Sequence, residues 1–240
     1  MRTKMLIDFY KQILVLSFVF ITSFVWAQTE KINQFDSNGN RHGLWKGIYE
    51  KSKRIRYEGT FEHGKETGVF KYFDDTKKGE IIATRDFSKG DGSYYVTFFL
   101  QNGNKVSEGM VDKNKLNQGK WTYYHKNSKQ QMSVENYVNG KVNGKVIVFF
   151  SDGKIASETN YKNGVKDGIS KRYSEKGIVL EEISYKNNKF DGWVIYRNTK
   201  GQLIAQGMYE KGLKKGIWKF YEKGNLAKEI DTDKKDIKTK

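Results

Sequence analysis

Hydrophobic positions in this chain fall in short bursts, some continuous and some with large apolar residues alternating with polar ones. Trp121-Thr122-Tyr123-Tyr124, Val146-Ile147-Val148-Phe149-Phe150 and Ile217-Trp218-Lys219-Phe220-Tyr221 are the clearest. Aromatic and β-branched residues dominate them, as expected of strands with one packed face. Between the bursts stand Asn102-Gly103, Asn139-Gly140, Asp152-Gly153 and Asn163-Gly164, pairs that favour tight hairpin turns. No segment after residue 27 sustains a helical period.

The bursts repeat. Each opens on a glycine, namely Gly43, Gly68, Gly92, Gly119, Gly144, Gly168, Gly192 and Gly216, at spacings of 25, 24, 27, 25, 24, 24 and 24. A fixed period of this size signals stacked supersecondary units. The internal grammar is an aromatic, a glycine three residues on, and a second glycine four after that. Phe61, Gly64, Gly68; Tyr137, Gly140, Gly144; Tyr161, Gly164, Gly168; and Tyr209, Gly212, Gly216 follow it. After Tyr185 the middle glycine is replaced by Asn188, the residue that best tolerates a left-handed backbone, which predicts a positive φ there. The units around Phe87 and Val111 are irregular, and the spacing of 27 predicts a bend or insertion within residues 74–118.

A 24-residue unit holds two strands and two turns, so each unit reads as one β-hairpin. The predicted fold is all-β, a single-layer antiparallel sheet of about eight tandem hairpins and roughly sixteen strands, elongated and twisted. Trp45, Phe70, Trp121 and Trp218 stand two residues after their glycines, and Lys46, Lys71, Lys171 and Lys219 stand three after. Strand alternation therefore puts the aromatics on one face and these lysines on the other. Without a second layer, stability comes from contacts between neighbouring repeats.

The segment Tyr57-Glu58-Gly59-Thr60-Phe61 through Gly64 and Gly68 to Phe70 resembles a MORN repeat, and Gly207-Met208-Tyr209 through Gly212 and Gly216 to Trp218 is similar. Other units replace the early glycine, by Thr159 and Ile183, and resemble the bacterial MORN variant found in YwqK-type antitoxins. The resemblance spans residues 36–230. It implies single-layer hairpin sheets that bind lipid, scaffold or contact other proteins, and for the antitoxin relatives a toxin as partner.

Composition narrows the setting. Arg2, Lys4 and Lys11 precede an apolar run from Ile13 to Trp26, and Val25 and Ala27 space a cleavage site before Gln28, so residues 1–27 read as a signal peptide. Residues 28–230 are then the repeat domain and 231–240 a charged flexible tail, in an exported protein: periplasmic, envelope-associated or secreted. The chain has no cysteine, which excludes disulfides, thiolate sites and a lipoprotein anchor. It also lacks proline, in keeping with a large sheet whose N–H groups are ladder donors. Without residues 1–27 the formal charge falls from +16 to +14. That excess points to a protein partner or to an anionic lipid or polysaccharide surface, and export argues against nucleic acid.

Catalytic signatures are missing. There is no Gly-x-Ser-x-Gly and no phosphate-binding glycine loop, and no catalytic, cofactor or metal site is expected. His42 and His63 fall in turns of adjacent repeats, with His125 elsewhere, and no cysteine or carboxylate shares a ligand-like spacing with them. Glu108, Glu158, Glu182 and Glu229 recur in register with Gln206 in the equivalent place. A feature repeated in every unit reads as a cross-strand ladder pairing with lysine rather than an acid/base pair. The hydrolase alternative needs a catalytic pair within the irregular residues 74–118. Aromatics interleaved with basic residues, as in Trp121 and Tyr123 or Trp218 and Phe220, either pack the sheet or stack on a ligand. With Lys46, Lys71, Lys171 and Lys219 they form the candidate binding surface.

Overall fold

The computed structural model describes residues 31–234. The expected leader, residues 1–27, lies outside them, and so does the end of the tail. The first strands are β1 (Gln34–Phe35), β2 (Arg41–Ile48), β3 (Ile55–Glu62), β4 (Lys65–Phe73), β5 (Ile81–Asp86) and β6 (Tyr94–Phe99). Then come β7 (Lys105–Val111), β8 (Asn117–Tyr124), β9 (Gln131–Val138), β10 (Lys141–Val142), β11 (Gly144–Phe149) and β12 (Ile155–Lys162). The last six are β13 (Val165–Tyr173), β14 (Val179–Lys186), β15 (Lys189–Arg197), β16 (Leu203–Glu210), β17 (Leu213–Glu222) and β18 (Asn225–Asp231).

Each strand pairs antiparallel with its chain neighbours, except that β10 and β11 lie end to end and both pair with β9, giving one open sheet of 18 strands built from tandem hairpins. Sixteen were expected. The extra two are the short β1 and the split of one strand at Asn143 into β10 and β11, where the Asn143 N–H turns aside to the Asn136 carbonyl at 2.7 Å. The main strand contacts are all between sheet neighbours, so among the described residues no second layer covers either face.

Why the chain turns where it does is visible in the backbone. At Asn139-Gly140, Asn163-Gly164 and Asn187-Asn188 both central residues have positive φ, as a two-residue hairpin that matches strand twist requires, whereas at Asn102-Gly103 and Asp152-Gly153 only the glycine does. Asn163 and Gly164 are at 52° and 87°, and Asn188 is at 65°, the conformation its substitution for glycine predicted. The Gly168 type of glycine, which opens each burst, lies inside a strand at φ 104°, where the β12–β13 register shifts. It makes a bulge that L side chains resist.

The tight turns are also tied to the repeat before them. The N–H groups of Gly64, Gly140, Gly164, Asn188 and Gly212 donate to the carbonyls of Arg41, Asn117, Val142, Lys166 and Phe190, at 2.7 to 3.0 Å. The ladder therefore continues past the strand ends from one hairpin to the next.

On the packed face, strand register aligns Trp45, Phe70, Val96, Trp121, Val146, Ser170, Val194 and Trp218, at spacings of 25, 26, 25, 25, 24, 24 and 24. This corrects one anchor. Tyr94 occupies the place of the opening glycine in its repeat, and Gly92 lies two residues earlier in the 87–93 loop. The spacing of 27 came from that displaced glycine. The expected irregularity in residues 74–118 is real and lies in longer loops at 74–80, 87–93 and 112–116, not in an added element.

Three buried clusters form on this face. Phe61, Phe70 and Phe87 make the first, Val96, Val111 and Trp121 the second, and Ile183, Val194 and Trp218 the third. A size rule governs them. A Cβ on Gly59, Gly109 or Gly207 would stand 2.4 Å from the ring of Phe70, Trp121 or Trp218, because each ring lies over the bare glycine of the preceding strand. Where the glycine is replaced, the partner shrinks: Thr159 faces Ser170, their hydroxyls 2.8 Å apart, and Ile183 faces Val194. Close packing demands this compensation.

At the C-terminal end, Asp231 closes β18, the Thr232 N–H reaches the Gly216 carbonyl at 2.9 Å, and Lys215 pairs with Asp233 at 3.2 Å. The first residues of the expected flexible tail, 231–234, are thus held to the sheet.

Candidate functional site

The face opposite the aromatic clusters carries two parallel rows of side chains. The first is continuous across the sheet. In register it runs Lys46, Glu58, Lys71, Thr84, Thr97, Glu108, Thr122 and Val134, then Ile147, Glu158, Lys171, Glu182, Ile195, Gln206, Lys219 and Glu229. All four lysines singled out from the sequence stand in it, but none is a free positive charge. Glu58 bridges Lys46 (3.8 Å) and Lys71 (3.2 Å), Lys171 meets Glu182 at 3.4 Å, and Lys219 meets Glu229 at 3.2 Å. The row alternates in sign at its ends, and its otherwise uncharged middle carries Glu108 and Glu158. The glutamate ladder expected from the sequence is present, with Glu158 drawn to Lys145 at 3.3 Å and Glu108 to Lys105 at 2.8 Å.

Tyrosines tie this row together. Tyr124 donates to Glu108, Tyr173 donates to Glu158 at 3.1 Å, and Gln206 donates to Tyr221 at 2.9 Å. Burial pushes the Glu108 carboxyl up, but hydrogen bonds from Lys105 and Tyr124 outweigh it and leave the pKa below the ordinary value. Burial and the Glu108 carboxylate together raise the Tyr124 hydroxyl.

The second row is formed by residues one place after the opening glycines. In the C-terminal repeats these are Ile169, Trp193 and Ile217, with Met208 directly across from Trp193. Trp193 is 55 % exposed and Ile217 54 %, with Ile169 and Met208 also open. Sequence reasoning missed this strip, although its own alternation rule contains it. Trp193 follows Gly192 by one residue where Trp121 and Trp218 follow theirs by two, so it points the other way.

The aromatics chosen from the sequence lie elsewhere. Trp121 and Trp218 are 4 % and 2 % exposed, their indole N–H groups donating to the carbonyls of Met110 and Met208 at 3.0 and 3.1 Å. Phe220 lies against Trp218, and the Tyr123 hydroxyl meets that of Tyr137 at 3.1 Å. These four belong to the packed face rather than to an exposed stacking strip.

Lys186, Lys189 and Lys211, with Asn187 and Asp191, line a shallow hollow of about 280 Å³ at one edge of the sheet.

The remaining candidates resolve into local structure. The rings of His42 and His63 are 4.9 Å apart, and His63 Nδ1 is 2.7 Å from Asp36. That contact and the Asn40 backbone N–H hold the Asp36 pKa down at about 2. His125 contacts the Phe149 carbonyl at 3.1 Å. Among the described residues no group of three or more His, Cys, Asp or Glu side chains could hold a metal ion.

In the irregular region the carboxylates serve loops. Asp74 accepts from Thr76, Glu80 and Gln101, Asp86 from Ser88, Asp91 from Ser93, and Asp112 from Asn114 and Leu116. Asp75 pairs with Arg54, and Glu80 with Lys78.

Comparison with known families agrees with this architecture. The family model of the MORN repeat variant matches residues 142–163 and 166–187. Each matched segment is one strand–turn–strand unit, β10 to β12 and β13 to β14, so the chain carries MORN variant repeats. No curated protein matches the chain.

Proposed function

We propose that this protein is a non-enzymatic, exported binding or scaffolding module that engages a protein partner at the cell envelope through the uncovered face of its C-terminal repeats. The observation that supports this reading is the exposed strip Ile169, Trp193, Met208 and Ile217, bordered by a row of alternating charge. An aromatic anchor with an apolar core and a mixed-charge rim suits a protein surface. A row whose four lysines are each matched by a glutamate suits an anionic surface less well, since little net field remains along it. The apolar leader read in residues 13–26 accounts for delivery to the envelope. The YwqK-type antitoxin reading is a special case in which the partner is a toxin.

A second reading has its own support in the lysine-rich turns around Lys186, Lys189 and Lys211, which favour an anionic lipid or polysaccharide at the sheet edge. The purified protein used as bait in an envelope extract separates the two. A stoichiometric protein retained in high salt, and lost on Trp193→Ser, supports the protein-binding face. Release of everything in high salt, unaltered by Trp193→Ser, overturns it in favour of electrostatic adhesion.

A further inference from the structure

The charged row over the last six strands reads, from β13 to β18, Lys171, Glu182, Ile195, Gln206, Lys219, Glu229. Read backwards, every charge meets its opposite. A two-fold axis parallel to the strands, placed between two such faces over the β15–β16 boundary, reverses the order in this way. It sets Lys171 over Glu229 of a second copy, Glu182 over Lys219, and Ile195 over Gln206. The neighbouring row follows the same operation. Trp193 lands on Met208 at the axis, Ser184 falls opposite Ile217, and at the outer rim Ile169 falls opposite Asp231.

From this complementarity we infer that the partner of the C-terminal face is a second copy of the same chain, in an isologous sheet-on-sheet dimer. The inference rests on the protein-binding reading of that face and specifies it. Isologous contacts need a self-complementary patch, and this one has an apolar centre with the charges outside. The intrachain pairs Lys171–Glu182 (3.4 Å) and Lys219–Glu229 (3.2 Å) would stack head to tail, closing a ring of four alternating charges on each side of the axis. Aligned sheets rotate by about 30°, and long lysine and glutamate side chains reach across the offset that results.

The N-terminal repeats do not share the property. There the same operation about the β4–β5 boundary sets exposed Val69 over Asp86 at the axis itself, and in the charged row it pairs Lys71 with Thr84 and Glu58 with Thr97, so neither an apolar centre nor matched charges result. Self-complementarity thus belongs to β13–β18.

Six strands at ~4.8 Å and the two rows, ~7 Å apart along the strand, cover roughly 400 Å² per copy. That is about half the ~800 Å² per partner of a typical stable interface, so a dimer no tighter than micromolar is expected. The test is light scattering and sedimentation on the purified protein at tens of micromolar.

Lys219→Glu alone faces Glu182 with a like charge at two symmetric places, and Glu182→Lys alone faces Lys219 in the same way. Each is expected to weaken self-association by roughly 100-fold. Mixed in equal amounts they form a heterodimer in which both contacts are opposite in sign, so association returns. Lys171→Glu mixed with Glu229→Lys repeats the test at the outer contact, should either first variant fail to fold. A wild-type monomer at these concentrations, variants that self-associate normally, or folded variants whose mixture stays monomeric would each overturn the dimer. Capture of a different envelope protein through Trp193 by a monomeric chain leaves the protein-binding reading standing while the dimer falls.

Discussion

The repeats at β14–β17 and those at β11–β13 have the same backbone and different fillings. In the former, Ile183, Val194 and Trp218 form a buried cluster, with Tyr185, Phe190, Tyr209 and Phe220 packed around it. In the latter, Val146, Thr159 and Ser170 hold the equivalent places, no residue is buried, and a hydroxyl pair replaces the ring over glycine. The hairpin register therefore does not depend on a filled core. Turns, bulges and turn-to-turn hydrogen bonds set the frame, and the small/large pairing then sets how much stability each unit contributes. A single-layer repeat sheet can carry a thin section because its neighbours support it.

The largest test of that contrast is a methyl group where a ring lies. Gly207→Ala places a carbon 2.4 Å from the Trp218 ring and should cost about 3 kcal/mol, read as a fall in the urea midpoint. Gly207→Ile combined with Trp218→Val copies the Ile183–Val194 solution and should recover most of the loss. If the double variant is worse than Gly207→Ala, pair volume is not what the position measures.

In the thin section the sign reverses. Thr159→Ile with Ser170→Val replaces a polar pair by an apolar one of the neighbouring repeat's type and should stabilise by about 1–2 kcal/mol. Hydrogen exchange sharpens this comparison. Amides of β12 and β13 should exchange ahead of those in β15 and β16 in the wild type, and the double variant should close the gap.

The smallest effect is electrostatic. The Glu108 pKa in the folded chain lies below its ordinary 4.5, so its contribution is complete above that value and is lost as pH falls through the folded one. Between about pH 5 and pH 3 the wild type should lose up to about 1 kcal/mol more than Glu108→Gln, measured as the difference of their urea midpoints. Equal slopes would show that Lys105 and Tyr124 do not act on this carboxylate.

Much of the frame was legible beforehand because it is written in residue types with few substitutes. Positive φ at Asn188, hairpin turns at Asn139-Gly140 and Asn163-Gly164, and two-faced alternation all follow from local sterics. Gly92 misled because one sequence carries no marker separating a bulge glycine from a loop glycine two residues away; only cross-strand register distinguishes them. The lysines misled differently. Lys46, Lys71, Lys171 and Lys219 were placed on the correct face, but their glutamate partners come from adjacent strands and neutralise the stripe. Trp193 breaks the period that marks Trp45, Trp121 and Trp218, standing one residue after its glycine instead of two, and that single offset is what turns it to the exposed face.

The strand order has a mechanical consequence. Because every hairpin is bonded only to its neighbours in sequence, tension applied at the two ends of the described sheet loads the hydrogen bonds at its margins first, a few at a time, rather than shearing many together. The outermost hairpin then peels while the rest holds. Each 24-residue unit released lengthens the chain by roughly 80 Å before the next begins to yield. An anchored copy would behave as a stepwise extensible tether, with the β11–β13 section weakest once peeling reaches it.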